Sequence, residues 1–227
     1  MKISVIIPCL NEAGNISNTL DRLQALRTAG HEIIISDGGS KDNTLALCAS
    51  RVDHIIHSEA GRAKQMNTAV SQASGDVLWF LHADTLVQPD SHQHILQALN
   101  NTAYHWGRFD IILSSPKFIF RIIERMMNFR SCLTAIATGD QGIFIRKSGL
   151  ENIGGYKDIS LMEDIEISKR LRHLSKPACI KQPLTTSSRR WEKHGVIRTI
   201  VLMWYLRLRF FLGTPADSLS VLYRNHD

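Results

Sequence analysis

The sequence GDVLWFLHADT, residues 75–85, contains five consecutive apolar residues, Val77–Leu81. A short uninterrupted apolar run is typical of a strand that is buried on both faces of a parallel sheet. The run stops before His82, so an imidazole and the carboxylate of Asp84 follow at the carboxyl end of the strand. Ligands of open α/β sheets bind outside these strand ends, and a carboxylate there suits a divalent cation. The alternative is that Asp84 caps the turn that follows.

Strand and helix patterns alternate through the first hundred residues. The predicted strands are Ile3–Pro8, Glu32–Ser36, Asp53–His57 and Asp76–Leu81, and the predicted helices are Ala13–Arg27, a segment from near Asp42, and Arg62–Ala73. This βαβαβαβ order predicts an α/β fold with a mostly parallel central sheet, right-handed crossovers and helices on both faces.

The second half is less regular, and no repeat, low-complexity tract or linker divides it from the first. The predicted strands are Trp106–Ser114, Gly142–Arg146 and Pro177–Lys181, and the predicted helices are Pro116–Ser131, Met162–His173 and Gly195–Leu212. We therefore expect one domain over residues 1–227, which is a common domain size.

Composition is that of a globular protein, with 44% apolar residues and a formal net charge of +6. The charge suits a polyanionic partner such as nucleic acid, anionic lipid or a phosphorylated small molecule, and no nucleic-acid motif accompanies it. The amino-terminal residues resemble a strand rather than a signal peptide, and no apolar run is long enough to span a membrane. A cytoplasmic location follows as the expectation.

The four cysteines, Cys9, Cys48, Cys132 and Cys179, are widely spaced and form no C-x-x-C pair. This spacing indicates neither a zinc site nor a disulfide framework. Reduced thiols are therefore expected.

Polar residues also follow the first two predicted strands. Asn11 and Glu12 come after the first strand, and Asp37 ends the second strand beside Gly38 and Gly39. Glycines permit a tight turn and a close approach of a ligand to the backbone. Asp37 is well placed to accept a hydrogen bond from a base N–H or a ribose hydroxyl, whereas Gly39 and the Ser40 and Thr44 hydroxyls are interpreted as turn residues.

Arg62, Lys64 and Asn67 open the third predicted helix, directly after Gly61. Cations at a helix N-terminus oppose the helix dipole, so something must compensate for them. A bound diphosphate would do so, and simple exposure to solvent is the alternative.

Five segments together resemble the family 2 glycosyltransferases, which are inverting, nucleotide-sugar-dependent enzymes of the GT-A fold. The segments are ISVIIPCLNE (3–12), IISDGGSKDNT (34–44), GDVLWFLHADT (75–85), Gly154-Gly155-Tyr156 and Glu163-Asp164. Their order and approximate spacing match over roughly residues 1–192. Within that family the chain is similar to a small bacterial group known as selenodomain-associated glycosyltransferases.

The resemblance implies a nucleotide-sugar site along the sheet edge. Its implied members are Pro8, Asn11, Glu12, Asp37, His82, Ala83, Asp84, Arg190 and Trp191, to which Arg62, Lys64 and Asn67 are added from their place on the third helix. Asp84 matches the last acid of the D-x-D metal motif, and His82 stands where relatives have the first. Both are expected ligands of Mn²⁺ or Mg²⁺. Gly38 replaces the second acid of the family's Asp-Asp-Gly-Ser segment.

The resemblance also implies the catalytic groups. Glu163-Asp164 matches the family's Glu-Asp pair, in which the Asp serves as general base, and two acids opening a helix are the alternative interpretation. Arg190-Trp191 aligns loosely with the end of the Q-x-x-R-W motif of processive members. Because the Gln is absent, processivity is not expected. Arg189 and His194 are further candidates for phosphate contacts.

The expected function is metal-dependent, inverting transfer of a sugar from a UDP- or GDP-sugar to an unidentified acceptor, for which a lipid is one candidate. Residues 1–100 would form the nucleotide-sugar half, 101–192 the acceptor and catalytic half, and 193–227 a helical end. One alternative is a sugar-phosphate nucleotidyltransferase, although its Gly-rich first loop is missing. Another is a non-catalytic nucleotide-binding or membrane-surface protein.

Two apolar, basic segments bear on membrane contact. Pro116–Ser131 can lie on an anionic membrane, which would place the protein at the inner face of the membrane, or it can pack in the core. For Gly195–Leu212, core packing or a contact between two copies of the chain is favoured.

Overall fold

The structure is a computed structural model that describes residues 1–224. Seven strands lie in one sheet in the order β3-β2-β1-β4-β6-β5-β7 over this part of the chain. The strands are β1 (Ile3–Cys9), β2 (Glu32–Asp37), β3 (His54–His57), β4 (Val77–Phe80), β5 (Trp106–Leu113), β6 (Phe144–Arg146) and β7 (Ala178–Thr186). The predicted α/β class is confirmed.

Helices pack on both faces of the sheet. They are α1 (Ile16–Thr28), α2 (Thr44–Cys48), α3 (Arg62–Val70), α4 (Ser91–Asn100), α5 (Phe118–Thr134), α6 (Lys147–Asn152), α7 (Glu163–Leu171), α8 (Arg189–His194), α9 (Val196–Phe211) and α10 (Ala216–Arg224), with a short 3-10 turn at Gly139–Gln141. Among the residues described, no helix has both the length and the apolar character needed to cross a bilayer.

The first four strands are parallel, as the alternating pattern predicts. The sheet becomes mixed beyond β4, because β6 runs antiparallel to both β4 and β5. The prediction of a short last strand over Pro177–Lys181 was wrong, since β7 continues to Thr186 through Pro183. β7 lies at the sheet edge and pairs only with β5 among the described strands. An edge strand tolerates the missing N–H of a proline, which explains the extension.

Two apolar layers enclose the sheet and carry the site at its carboxyl edge. In one layer Trp79 stacks on Phe109, with ring centroids 5.3 Å apart. The indole N–H of Trp79 donates to the carbonyl of Gly142 over 3.1 Å. Gly142 has a φ of 57°, and a Cβ there would lie 2.5 Å from Leu184. The turn that ends the 3-10 segment is therefore anchored directly to the core.

The expectation of four reduced cysteines was wrong for two of them. Cys132 on α5 and Cys179 on β7 form a disulfide with a Cα–Cα distance of 6.0 Å. The residues are 47 positions apart in sequence, and they meet because α5 packs on β5, the neighbour of β7. Cys9 and Cys48 are free and buried.

Candidate active site

The carboxyl ends of β1 and β4 meet at one cleft, as the strand order predicts. Its open, polar end is lined by Pro8, Glu12, Arg62, His82, Ala83 and Asp84. Its deeper, apolar end is lined by Pro8, Arg62, Met66, Phe80, Leu81, His82, Gly139, Ile143, Tyr156, Glu163 and Asp164. Pro8, Arg62 and His82 belong to both ends, so the cleft is continuous from the predicted metal ligand to the predicted base.

The loops after β1 and β2 hold each other in place beside the cleft. Asn11 has a left-handed φ of 56°. Its backbone N–H donates to Oγ of Ser40 over 2.9 Å, and its Oδ1 accepts from the backbone of Lys41 over 2.8 Å. The N–H of Glu12 donates to the hydroxyl of Thr44 over 2.8 Å. These contacts give the Ser40 and Thr44 hydroxyls the turn role expected of them.

Asp37 is buried at the end of β2, with 1% of its surface exposed. Its Oδ2 accepts hydrogen bonds from the backbone N–H groups of Gly39 and Ser40, both at 3.0 Å. The carboxylate therefore shapes the turn. Its contact with a nucleotide base stays a prediction.

Gly38 lies in a closely packed place at the end of β2. A Cβ at this position would lie 3.2 Å from Cα of Ala60 and 3.2 Å from the amide of Gln65. The Gln65 amide donates to the carbonyls of Cys9 and Ser36 over 2.8 and 2.7 Å. A buried glutamine thus braces the two strand ends directly beside Gly38.

Carboxylates of the protein itself compensate for the cations that open α3. Nη1 of Arg62 lies 3.3 Å from Oε1 of Glu163. Nζ of Lys64 lies 2.6 Å from Glu59 and 3.8 Å from Asp158. The sequence offered two explanations for cations at this helix N-terminus, a bound diphosphate or exposure to solvent. Neither explanation included these ion pairs. Arg62 lines the cleft, whereas Lys64 lies outside the residues that line it.

Asn67 holds the loop before α7 in place. Its Nδ2 donates to the carbonyl of Tyr156 over 2.7 Å, and its Oδ1 accepts from the N–H of Tyr156 over 2.9 Å. Both polar atoms of the amide are engaged, and Tyr156 lines the apolar end of the cleft. The predicted nucleotide contact of Asn67 is not tested, but its positioning role is visible.

His82 presents a neutral imidazole to its surroundings. Burial, and secondarily the charge of Arg62, hold the pKa of His82 well below its usual range. Its Nε2 is buried without a hydrogen-bond partner. A Cβ on Gly139 would lie 2.5 Å from this nitrogen. Only a glycine leaves room for the imidazole here.

The polar end of the cleft fits a cation that arrives with a diphosphate. Over residues 1–224, no three His, Cys, Asp or Glu side chains cluster as a metal site. Asp84 nevertheless places a carboxylate in the same depression as Glu12 and the neutral His82. Mg²⁺ and Mn²⁺ sites are often completed by substrate phosphates and water around one or two protein carboxylates. The donors present match that pattern.

The Glu163-Asp164 pair begins α7, directly after Met162, whose φ of 67° turns the chain into the helix. Glu163 is 5% exposed, and burial raises its pKa, with Arg62 opposing and Asp164 adding to the rise. Oδ2 of Asp164 accepts from the N–H of Gly139 over 2.9 Å, and its Oδ1 accepts from the N–H of Ile165 over 2.7 Å.

Sequence reasoning missed a charged group beside Asp164. Burial raises the pKa of Asp140, and its Oδ1 has no partner. Arg130 on α5 and Arg207 on α9 oppose this rise, and burial lowers the pKa of Arg130 to about 10. The sequence does show an acid, Asp140, in the short segment between Gly139 and Gly142. That segment has neither helical nor strand periodicity, so nothing in it predicted that the acid would be buried.

Arg190 and Trp191 lie outside the cleft lining. The guanidinium of Arg190 stacks on Tyr223, 3.7 Å from the ring centroid. Trp191 packs against the small apolar cluster of Leu113, Phe120 and Ile123. Their predicted nucleotide-sugar contacts are untested, and in this arrangement both residues join the carboxyl-terminal helices to the rest of the fold.

The sheet order and cleft place this chain among the GT-A glycosyltransferase folds. The family model described as "Glycosyl transferase family 2" matches residues 4–152. The chain therefore belongs to glycosyl transferase family 2, which confirms the resemblance to that family, and the narrower bacterial group stays a prediction.

Two relatives and two solved structures illustrate the similarity. The chain is 25% identical over 236 residues to a poly-beta-1,6-N-acetyl-D-glucosamine synthase of Staphylococcus aureus, covering 93% of this chain and 54% of that protein. It is 28% identical over 190 residues to an uncharacterized glycosyltransferase of Mycobacterium tuberculosis, covering 79% of this chain and 72% of that one. The chain thus spans about half the length of the first relative.

The solved structures share the fold at low sequence identity. TarS 1-349 of S. aureus in complex with UDP-GlcNAc superposes with a TM-score of 0.65 at 16% identity, covering 82% of this chain and 58% of that one. The mannosyltransferase PcManGT of Pyrobaculum calidifontis, in complex with GDP-Man and Mn²⁺, has a TM-score of 0.65 at 19% identity, covering 82% and 56%.

Proposed function

We propose that the protein transfers a sugar from a UDP- or GDP-sugar to an acceptor hydroxyl, with inversion at the anomeric carbon and with the help of a divalent metal ion. The observation that carries this proposal is the continuous cleft between Asp84 and Asp164. A carboxylate at each end matches the two demands of the reaction, which are charge neutralisation on the leaving diphosphate and proton removal from the acceptor.

The donor occupies the polar end of the cleft in this proposal. Asp84 would hold the metal ion, with the diphosphate and water completing its shell, and the ion would act as a Lewis acid on the departing phosphate. Arg62 reaches the same depression and supplies a second positive charge. The loops carrying Asn11 and Asp37 follow the paired strands β1 and β2, and the nucleoside would lie against them. TarS and PcManGT were solved with nucleotide sugars, which supports this placement.

Asp164 serves as general base in this proposal. Its carboxylate takes the proton of the acceptor hydroxyl while the acceptor oxygen attacks the anomeric carbon from the side opposite the diphosphate. The new bond to the acceptor oxygen forms as the bond to the diphosphate oxygen breaks. Backbone N–H groups hold both Asp164 oxygens, so the base is oriented before substrate arrives. A single displacement of this kind inverts the anomeric centre.

The acceptor side belongs to the second half of the chain. Residues 101–192 contribute Gly139, Tyr156 and Asp164 to the cleft, and residues 1–100 contribute the donor end. We keep the division into a donor half, an acceptor half and a carboxyl-terminal helical segment as part of the proposal. A lipid-type acceptor is the proposed class.

A nucleotide panel tests the donor assignment. UDP, GDP, UDP-GlcNAc, UDP-glucose and GDP-mannose would be added with and without Mn²⁺, and thermal unfolding and slow donor hydrolysis would be followed. A ligand that binds only the folded protein raises the melting temperature by mass action. One base should stabilise the protein, more strongly with Mn²⁺, and its sugar should be hydrolysed. Stabilisation by no nucleotide contradicts the proposal, and binding without turnover favours a non-catalytic nucleotide-binding protein.

A further inference from the structure

Helices α5 and α9 each leave an apolar stripe uncovered. On α5 the exposed apolar residues are Phe118, Ile119, Ile122, Met126, Phe129 and Leu133. On α9 they are Ile197, Val201, Trp204, Tyr205, Leu208 and Phe211, with Leu212 just beyond the helix. Spacings of three and four residues place each set along one side of its helix. We call the two stripes together the α5–α9 face.

The shared apolar cluster and one electrostatic contact indicate that α5 and α9 run beside each other in the same direction. Phe120, Ile123 and Met127 of α5 pack in one cluster with Val196 and Ile200 of α9. About two turns further along both helices, Arg130 lies within electrostatic reach of Arg207. These two positions advance by the same number of turns on both helices, which favours a parallel arrangement.

Both stripes point to the same side of this helix pair. At about 100° per residue, each stripe lies roughly a quarter turn from the line where the helices touch. Viewed down the helix axis from the N-terminus, the rotation from the contact line to the stripe has one sense on α5 and the opposite sense on α9. For parallel neighbours, opposite rotations from the contact line bring both stripes to one side. Both sets of exposed apolar residues therefore face the same side, and together they are more than the single exposed apolar residues usual on soluble proteins.

Positive charges border the α5–α9 face. Arg125 and Arg209 are exposed beside the two stripes, and Lys117 lies at the start of α5. The only acid on α5, Glu124, is buried and lies 2.8 Å from Arg121. Helix α9 contains no acidic residue. An apolar surface with a basic border is complementary to an anionic bilayer, where apolar groups enter the acyl boundary and cations meet lipid phosphates.

A second copy of the chain fits this surface less well. A symmetric contact buries the same patch of both copies, so each basic border would meet the basic border of its partner. Like charges brought together in this way oppose association. The charge pattern therefore favours lipid over self-association.

We propose that the α5–α9 face docks on the surface of an anionic lipid bilayer, with α5 and α9 lying parallel to the membrane plane. Arg130 and Arg207, which lie at the junction of these helices, also act electrostatically on Asp140. This inference goes beyond the proposed transfer reaction and does not depend on which nucleotide sugar is used.

Vesicle sedimentation tests the proposal on the full chain. The wild-type protein should bind vesicles of phosphatidylcholine with phosphatidylglycerol, should bind phosphatidylcholine alone weakly, and should lose affinity as salt is raised. The double variant Phe129→Ser/Trp204→Ser should bind at least about tenfold more weakly. Leu10→Ser, which removes an exposed leucine outside the face, is the matched control and should bind like the wild type. All three proteins should unfold at the same temperature because the changed side chains are exposed.

Trp204 provides a second, site-specific measurement. Trp79 and Trp106 are fully buried, whereas Trp204 is 62% exposed on the α5–α9 face. Brominated lipids in the anionic vesicles should quench the fluorescence of Trp204, and Trp204→Phe should abolish most of that quenching while preserving vesicle binding.

Three results would overturn the proposal. They are no binding to anionic vesicles, equal binding by the double variant, and a stable dimer in lipid-free buffer that the double variant converts to monomer. Donor hydrolysis and nucleotide binding are measured without lipid. A failure of docking is therefore distinguishable from a failure of the proposed transferase activity.

Discussion

The backbone N–H of Gly139 donates to Oδ2 of Asp164 over 2.9 Å, which ties the 3-10 turn after α5 to the first turn of α7. The same glycine leaves room for Nε2 of His82. One residue without a side chain therefore positions the proposed base and makes space for the imidazole at the end of β4.

Asp164→Asn removes the proposed base and keeps an oxygen that accepts from Gly139. We expect the transfer rate to fall by about 10²- to 10⁴-fold, the usual contribution of a general base, with little change in nucleotide affinity or melting temperature. Steady-state rates and nucleotide titrations measure the two effects. Glu166→Gln, a change two residues further along α7, is the control. Full activity in Asp164→Asn would remove Asp164 from the mechanism.

Arg62→Gln would leave Glu163 buried without its cation. The raised pKa of Glu163 means that its ionised form already disfavours folding, so the variant should be destabilised most at neutral and alkaline pH and least near pH 4. We expect a loss of about 1–2 kcal/mol at pH 7, because half of Arg62 is exposed and screening reduces the pair's contribution.

Denaturant unfolding of Arg62→Gln at several pH values measures this dependence. Adding Glu163→Gln should restore most of the loss, since the buried charge is then gone. Lys64→Gln, which breaks the exposed pair with Glu59, should be nearly neutral in stability. A pH-independent loss in Arg62→Gln would contradict the interpretation.

Asp84→Ala should uncouple nucleotide binding from metal. In the wild type we expect Mn²⁺ to add to the thermal stabilisation by nucleotide, since Asp84 would hold the ion and the ion would neutralise charge on the diphosphate. Asp84→Ala should keep the rise in melting temperature that nucleotide causes without metal, and should lose the further rise that Mn²⁺ causes. Asp21→Ala, a change of an exposed acid on α1, should behave like the wild type. An unchanged Mn²⁺ effect in Asp84→Ala would place the metal elsewhere.

Asn67→Ala should destabilise the protein by about 2–3 kcal/mol, because both backbone groups of Tyr156 lose their partner at once. Asn67→Asp keeps the acceptor for the Tyr156 N–H but sets a carboxylate oxygen against the Tyr156 carbonyl, so a loss at least as large is expected. Chemical unfolding measures both. A variant that binds nucleotide less well yet unfolds like the wild type would instead support the predicted nucleotide contact.

Glu32 should confer acid sensitivity. Burial opposes its ionisation, but hydrogen bonds from Lys2, Ser4 and Ser74 outweigh burial and lower its pKa from 4.5 to about 2. A carboxyl group whose pKa is lowered on folding stabilises the fold at any pH above its pKa in the unfolded chain, here 4.5. This stabilisation is lost as the pH falls from about 4.5 toward 2. Glu32→Gln should be less stable than the wild type by about 2 kcal/mol at pH 7, and the difference should shrink with acid. A stability difference between the two proteins that does not change with pH would contradict the assignment of acid sensitivity to Glu32.

Local pattern was sufficient for β1–β4 and for the helices between them. Each of these strands is a short apolar run bounded by polar or glycine residues, and parallel pairing follows from strand–helix alternation. The antiparallel β6 and the long β7 could not be anticipated in the same way, because their pairing depends on partners more than thirty residues distant in the chain.

Helix α4 shows the limit of periodicity. Its buried positions include Ser91 and His92 beside Ile95 and Leu99, so the apolar pattern is diluted by polar residues that tertiary packing covers. The disulfide between Cys132 and Cys179 has the same character, since only the packing of α5 on the sheet brings the two sulfur atoms together.

The sequence by itself determines the α/β class, the family, and the position of Asp84 at the carboxyl edge of the sheet. Each buried strand and the polar residue that follows it are neighbours in the chain, so a local pattern is enough to predict them. Tertiary packing determines the rest of the site. It pairs Arg62 with Glu163, sets the Gln65 amide against the carbonyl of Cys9, and brings Arg130 and Arg207 toward Asp140. Most of these partners are more than fifty residues apart in sequence, and the energies of their contacts depend on burial and distance, which no local pattern encodes.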